Sequence, residues 1–385
     1  MKMNKMRILT IIGARPQIIK AAAISRAVEK SFSDQIEETI LHTGQHYDAN
    51  MSQVFFDELG IPQPNYNLGV GSGRHGVQTA KMIAGIENIL LSNHYDGIIL
   101  YGDTNSTLAG SVAASKLHVP IFHIEAGLRS YDLSIPEEIN RIVCDQLASI
   151  SFVPTENAFR NMQLEGFDKM TVVFRNGKCR KVCNCGDVMY DNSMYFASLA
   201  EERSDVIERY ELKKDNYILS TIHRDNNTDN KERLTQIFDA LITLSEQEDI
   251  DVCIPLHPRT QKLIASNVAS DVYQKLMNTS CVKIVPPASF FDMTRLEKNA
   301  KIVMTDSGGV QKEAFFFGKP CVVFLKDTPW KELIESGAGI AADANKEQII
   351  NAYYKMVNHS VEFPALFGDG HAAEKILGQV VEYLK

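Results

Sequence analysis

Long apolar runs are missing from this 385-residue chain: no segment approaches the roughly 20 consecutive apolar residues that cross a bilayer. A basic excess is missing as well. Asp and Glu number 48 against 40 Lys and Arg, a net charge of −8, which excludes a generally basic nucleic-acid-binding surface but leaves room for a local basic pocket. The seven cysteines are odd in number and lie mostly in apolar runs (Cys144, Cys253, Cys281, Cys321), so a reducing compartment, the cytoplasm, is expected. Cys179, Cys183 and Cys185 lack the paired C-x2-C spacing of zinc ribbons and have no histidine nearby; they read as free thiols in a loop. With no H-E-x-x-H and no carboxylate-rich ligand run, no metal site is expected. The start, Met1 to Ile12, is basic and then apolar, but the run stops at Gly13-Ala14-Arg15-Pro16 without a cleavage site, and reads as a first buried strand.

What is present argues for a packed fold: 44% of residues are apolar, and the length suits two or three domains. Short β-branched runs alternate with amphipathic segments. Strands are predicted at Ile8–Ile12, Thr39–His42, Gly97–Tyr101, Ile121–Ile124 and Ile150–Val153. Further ones are predicted at Tyr217–Thr221, Asp251–Pro255, Val282–Val285, Ile302–Thr305 and Cys321–Phe324. Helical periodicity falls at Val77–Leu91, Arg233–Ser245, Gly309–Phe317 and His371–Leu384. The pattern is α/β, two doubly wound Rossmann-like domains. Alternation stalls between Met170 and Asp187, and a second break lies at Phe363–Gly370. The expected domains are therefore 1–186 with 371–385, and 187–370.

Ligands of such folds bind beyond the carboxyl ends of the strands, so the residues following each strand are the candidates. Gly13-Ala14-Arg15-Pro16-Gln17, with Lys20 one turn on, offers a tight turn and cations for an anion, although it lacks the second Gly and the Ser/Thr of a Walker loop. Gly71-Ser-Gly73-Arg-His-Gly76 spells G-x-G-x-x-G but follows a proline-containing loop, and the acidic residue at the right distance, Asp96, precedes its strand; a dinucleotide fingerprint is rejected in favour of a glycine loop. Asp103, Glu125 and Glu137 follow successive strands or open the next helix, with Arg129 and Arg141 beside them. They read either as acid/base carboxylates with divided pKa values or as ion-paired helix termini; two acids at adjacent strand ends favour the first. His223-Arg224 and His257 end strands in the second half. Asp306-Ser307-Gly308-Gly309 follows another strand and opens a helix, the strongest phosphate cradle in the chain, with Glu313 one turn in, placed to accept ribose hydroxyls. Ser307 is not a hydrolase nucleophile, since no G-x-S-x-G surrounds it.

Taken in order, Gly13-Ala-Arg15-Pro-Gln-Ile-Ile-Lys20, Thr43-Gly-Gln45-His46, Gly102-Asp103-Thr104, His123-Ile-Glu125-Ala-Gly-Leu-Arg129, Pro136-Glu137-Glu138-Ile-Asn140-Arg141, His223-Arg224, Thr305-Asp-Ser307-Gly-Gly-Val-Gln-Lys-Glu313 and Gly368-Asp-Gly370 resemble the non-hydrolysing UDP-N-acetylglucosamine 2-epimerase family over nearly the whole chain. The resemblance implies a glycosyltransferase-B-like fold with the active site in the interdomain cleft, the terminal helix crossing back to the first domain, a homodimer, and no cofactor. It implies acid/base roles for Asp103, Glu125, Glu137 and His223, and UDP contacts for Arg15, Lys20, Arg141, His257, Ser307, Gly308, Gly309 and Glu313. The implied reaction inverts C2 of a UDP-2-acetamido sugar by elimination and re-addition of UDP through a glycal, in surface-polysaccharide precursor synthesis. The family's Gly-Thr-Arg-Pro-Glu is Gly13-Ala14-Arg15-Pro16-Gln17 here, and its Gln-His-Arg-Glu-Met is Gln45-His46-Tyr47-Asp48-Ala49-Asn50-Met51. Both departures resemble the branch acting on UDP-2,3-diacetamido-2,3-dideoxy-glucuronate, which is the alternative substrate. A hydrolysing epimerase, a glycosyltransferase of the same fold and a non-catalytic nucleotide-sugar-binding module are the competing readings.

Overall fold

The computed structural model describes residues 4–45, 56, 60–169, 171–256, 258–328 and 330–385. The chain forms two compact units, Met1–Asn192 with Ala365–Lys385, and Ser193–Pro364. The division falls inside the helix Val188–Arg203 rather than in the loop before it.

The first unit carries β1 (Met6–Ile12), β2 (Ile36–His42), β3 (Tyr66–Asn67), β4 (Gly97–Tyr101), β5 (Ile121–Ile124), β6 (Ile150–Val153) and β7 (Lys181–Asn184). They form one parallel sheet in the order β3-β2-β1-β4-β5-β6-β7, with Ile8 paired to Gly97 and Ile98 to Ile121. The second unit carries β8 (Tyr217–Thr221), β9 (Asp251–Pro255), β10 (Val282–Val285), β11 (Ile302–Thr305), β12 (Cys321–Val323) and β13 (Gly339–Ala341), parallel in the order β10-β9-β8-β11-β12-β13. Counted within its own unit, the second sheet runs 3-2-1-4-5-6, the doubly wound order, and the first runs the same way with a seventh strand added at its edge. The direction in which successive strands are added across the sheet therefore reverses between β1 and β4, and again between β8 and β11. At those two points the loops after the strands diverge to opposite faces and leave a crevice.

The central strands are continuous apolar runs because helices cover both faces. Every residue of β4 is buried; Ile98 and Leu100 pack with Leu9, Ile11, Met82 and Ile86 on one side, while Ile99 and Tyr101 take the other. The second sheet is built alike, with Ile218, Val252, Ile302 and Val322 packed against the helix Lys231–Glu248. Three strands escaped the sequence pattern, β3, β7 and β13. They are two to four residues long and all three are sheet edges: β3 and β7 carry polar, partly exposed residues, and β13 is only Gly339-Ile340-Ala341, too short for a β-branched run. Thus β7 forms within the segment read as a junction.

The helix Ala372–Leu384 lies on the first unit. Its first amides, of Ala372 and Ala373, donate to the Asp191 carboxylate at 3.1 and 2.8 Å, and the Tyr383 ring meets Phe122 edge-on at 5.7 Å. Among the described residues no helix is long and apolar enough to cross a membrane.

Candidate active site

At the crevice of the first unit, β1 ends in a turn that only glycine fits. A Cβ on Gly13 would stand 2.1 Å from the hydroxyls of both Ser106 and Thr43. The helix Arg15–Ala27 starts there, with Arg15 on its exposed first turn and Lys20 buried one turn on. The Lys20 ammonium pairs with the Glu125 carboxylate. Opposite, β4 ends at Gly102, whose φ of +61° favours glycine and whose Cα faces this pair: a Cβ there would lie 3.0 Å from Glu125 Oε2 and 3.4 Å from Lys20 Nζ. Glu125 itself holds φ +69°, a conformation non-glycine residues adopt at a cost of order 1–3 kcal/mol, common where function demands a fixed side chain.

Asp103 follows. Its carboxylate accepts from Arg141 Nη2 at 2.5 Å, and Arg141 Nη1 donates to Glu138 at 2.9 Å. Burial pushes the Asp103 carboxyl up from its ordinary value, the Arg141 guanidinium pulls it down, and the Glu125 charge raises it again; the net direction is up. Asp103 and Glu125 thus sit within each other's field, two carboxyls with unequal surroundings, the arrangement from which an acid and a base are made.

Other candidates are placed differently. Glu137 is exposed on the first turn of the helix Pro136–Leu147, whereas its neighbour Glu138 turns inward and accepts from the amides of Ser130 and Tyr131, each at 3.0 Å. Arg129 does not join the carboxylates at the crevice as its position suggested. Its side chain, 1% exposed, donates to Asp145 at 2.8 Å and to Glu165 at 2.5 and 2.8 Å. Asp145 also accepts from the buried His123, at 2.7 Å, so Arg129 belongs to a structural network beneath the site.

In the second unit Asp306, fully buried after β11, organises the crevice. Its carboxylate accepts from the backbone amides of His223 (3.1 Å) and Arg224 (3.1 Å) and from Asn227 Nδ2 (3.0 Å), and His223 Nδ1 stands 3.0 Å away. Burial would raise Asp306, but these donors outweigh it and hold it below the usual carboxylate range. The His223 ring remains half-exposed. Arg224 Nε donates to the Asp306 carbonyl at 3.0 Å. Ser307 is the N-cap of the helix Gly308–Phe316. Around the amides of its first turn stand four polar groups. Ideal Cβ positions on Gly308 and Gly309 lie 3.5 Å from Trp330 Nε1, 3.9 Å from Arg224 Nη2, 3.8 Å from Ser307 Oγ and 4.0 Å from Glu313 Oε2. None crowds the glycines, so the helix N-terminus keeps an open, donor-lined face suited to an anion, with a carboxylate to one side. Lys312 is buried, its ammonium 4.2 Å from the Trp330 ring centroid. His257 lies outside the described residues, as do His46 to Met51.

Behind the cradle, Glu297 is 1% exposed and its Oε1 has no hydrogen-bond partner. Burial first, and then the charge of Glu313, raise its carboxyl well above the ordinary value. An acid whose pKa is higher in the fold than in the unfolded chain costs stability as pH rises from the unfolded value of about 4.3 through the folded one. The stability of Glu297→Gln relative to the unaltered chain should therefore grow with pH across that window, as measured by thermal unfolding; a gap independent of pH would contradict the assignment.

Comparison with known proteins agrees with this geometry. The sequence profile described as UDP-N-acetylglucosamine 2-epimerase matches residues 29–381. A UDP-2,3-diacetamido-2,3-dideoxy-D-glucuronate 2-epimerase of Pseudomonas aeruginosa is 43% identical, over 98% of this chain and 99% of that protein. A UDP-N-acetylglucosamine 2-epimerase of Methanocaldococcus jannaschii is 39% identical, over 97% and 98%. The crystal structure of the Methanocaldococcus jannaschii enzyme in complex with UDP-GlcNAc and UDP superposes with a TM-score of 0.81, covering 98% of this chain and all of that one. A UDP-bound ugt transferase from Siraitia grosvenorii, 10% identical with a TM-score of 0.58, shares the fold alone. Two doubly wound units of this order define the glycosyltransferase-B-like class, here in its isomerase form. The chain belongs to the UDP-N-acetylglucosamine 2-epimerase family.

Proposed function

We propose that the chain inverts C2 of a UDP-2-acetamido sugar, UDP-N-acetylglucosamine, without releasing UDP. The observation that carries the reading is the Asp103–Glu125 pair: two partly buried carboxyls in unequal surroundings at adjacent strand ends, Asp103 raised by burial and gripped by Arg141, Glu125 beside Lys20. The C2 proton is weakly acidic, so direct abstraction is slow. In the elimination, a carboxylate takes the C2 proton, the C–H electrons form the C1=C2 bond of a glycal, and the C1–O bond breaks with its electrons leaving on UDP. In the return, a carboxylic acid protonates C2 from the other face and the UDP oxygen rejoins C1. The sequence is redox-neutral and calls for no nicotinamide.

The reading assigns the sugar to the first unit and the nucleotide to the second. There the Gly308–Phe316 helix N-terminus, Ser307, Arg224 and His223 take the pyrophosphate, Glu313 takes the ribose hydroxyls, and His257 joins them. Arg15 and Arg141 supply further positive charge to the leaving group, and Glu137 and His223 are the remaining acid/base candidates. Holding UDP until it re-adds is what separates this reaction from hydrolysis. The seven cysteines carried as free thiols support a cytoplasmic setting. A homodimer and a role in surface-polysaccharide precursor supply complete the proposal.

A second reading keeps the mechanism and changes the sugar. The motifs Gly13-Ala14-Arg15-Pro16-Gln17 and Gln45-His46-Tyr47-Asp48, which resemble the diacetamido-glucuronate branch, favour a UDP-2,3-diacetamido-uronate, and the Pseudomonas aeruginosa enzyme of that branch is 43% identical. Incubating the chain with each UDP-sugar alone and resolving the C2 epimers decides between them. Epimer formed with no free UDP supports the proposal; stoichiometric free UDP and sugar would assign hydrolysis instead.

A further inference from the structure

Three consecutive backbone carbonyls at the end of β4 are each taken by a buried side chain from a different element. Gln17 Nε2 donates to the carbonyl of Tyr101 at 2.9 Å, His123 Nε2 to that of Gly102 at 2.8 Å, and Asn140 Nδ2 to that of Asp103 at 2.9 Å. The donors are 1%, 0% and 4% exposed, and lie on the first helix, on β5 and on the helix Pro136–Leu147. Backbone carbonyls at a strand end must find partners outside the sheet ladder, and water is one of the choices. Here side chains take all three.

Each donor is itself held. The Gln17 carboxamide oxygen accepts from the amides of Gly13 (2.9 Å) and Ala14 (3.1 Å), and its nitrogen also reaches Thr107 Oγ1 (3.0 Å). One side chain thus ties the turn after β1 to the turn after β4, across the crevice, with every hydrogen-bonding position filled. His123 faces acceptors on both ring nitrogens, the Gly102 carbonyl and the Asp145 carboxylate, so both nitrogens donate and the ring is an imidazolium. Asn140 lies one residue from Arg141, which grips the Asp103 carboxylate itself.

We propose that Gln17, His123 and Asn140 are positioning residues that act through Asp103, fixing the Tyr101–Asp103 backbone so that its carboxylate meets the sugar in one orientation. The proposal rests on the acid/base role of Asp103 in the reading above. Displacing a reacting group by about 1 Å can cost as much as 10²-fold in rate, so a rigid turn has kinetic value that ground-state binding does not register.

The test measures kcat and KM for epimerisation by Gln17→Met, which keeps the volume and removes the donor. The expected result is a fall in kcat of about tenfold with KM unchanged. In an Asp103→Asn background the same exchange should cost nothing more, because the group it positions is already gone. His123→Gln, which keeps a donor toward Gly102, should lose less than His123→Leu. Where Gln17→Met yields little folded protein, Asn140→Ala carries the same comparison. Unchanged kcat in both variants, or an equal loss with and without the Asp103 carboxylate, overturns the clamp while leaving the epimerase reading intact. A wild-type chain that inverts no UDP-amino sugar overturns that reading, and the clamp with it.

Discussion

Asp103→Asn is expected to lower kcat for C2 inversion by about 10²-fold or more while UDP affinity stays unchanged, as calorimetry with UDP would record. Asn is nearly isosteric and its Oδ1 still accepts from Arg141, so the turn keeps its shape. Arg141 also keeps Glu138 as a charge partner, so no cation is stranded by the change. What disappears is a carboxyl raised by burial and by Glu125, in reach of a proton it can take or give. Glu125→Gln should act in the same direction. It also deprives the buried Lys20 of its counter-charge, so part of its effect should surface as lost stability. An Asp103→Asn chain with near-normal kcat would mean that Asp103 is an ion-pair partner only, and would leave the non-catalytic nucleotide-sugar-binding reading standing.

The second large effect concerns stability. Asp306→Ala should destabilise the second unit by about 3–5 kcal/mol, because a buried carboxylate is removed from beneath the amides of His223 and Arg224 and from Asn227. Because the chain has two units, denaturation should be followed by probes on each, and the transition of the second alone should move. The sign with pH is fixed. Asp306 is held below the ordinary carboxylate range, so its stabilisation is complete above the unfolded pKa near 3.9 and is lost as pH falls through the folded one. The gap between Asp306→Ala and the unaltered chain should accordingly shrink in acid. A gap that persists there would mean that the carboxylate charge is not what holds the His223–Arg224 turn.

Much of this architecture was legible in the sequence because parallel strands covered on both faces are written as unbroken β-branched runs. Gly97–Tyr101, Ile121–Ile124 and Ile302–Thr305 form as read. The edge strands Tyr66–Asn67 and Gly339–Ala341 carry no such signal, since short, half-exposed edges need only backbone pairing. At the site, the rule that ligands gather beyond strand ends singles out Asp103, Glu125, His223 and Ser307. It does not say which of Glu137 and Glu138 turns inward. Helix phase does, because Glu138, Arg141 and Asp145 stand at i, i+3 and i+7 on one face. Nor does it reveal Gln17, His123 or Asn140. Their work is to bond backbone carbonyls up to 84 residues away, which leaves no spacing in the chain. Asp306 was visible as part of a glycine turn, but its partners are about 80 residues upstream, and only the β8–β11 pairing brings them together.

The central claim is that C2 loses and regains a proton while UDP departs and returns in the same site. Incubation with UDP-N-acetylglucosamine, or with the diacetamido-uronate if that is the sugar taken, in deuterated water tests it most directly. Mass spectrometry and proton NMR of the recovered nucleotide sugars should find one deuterium at C2 of the product epimer, and with time of the remaining substrate, with no accumulation of free UDP. Inversion without deuterium at C2, or free UDP accumulating in step with turnover, would contradict the account.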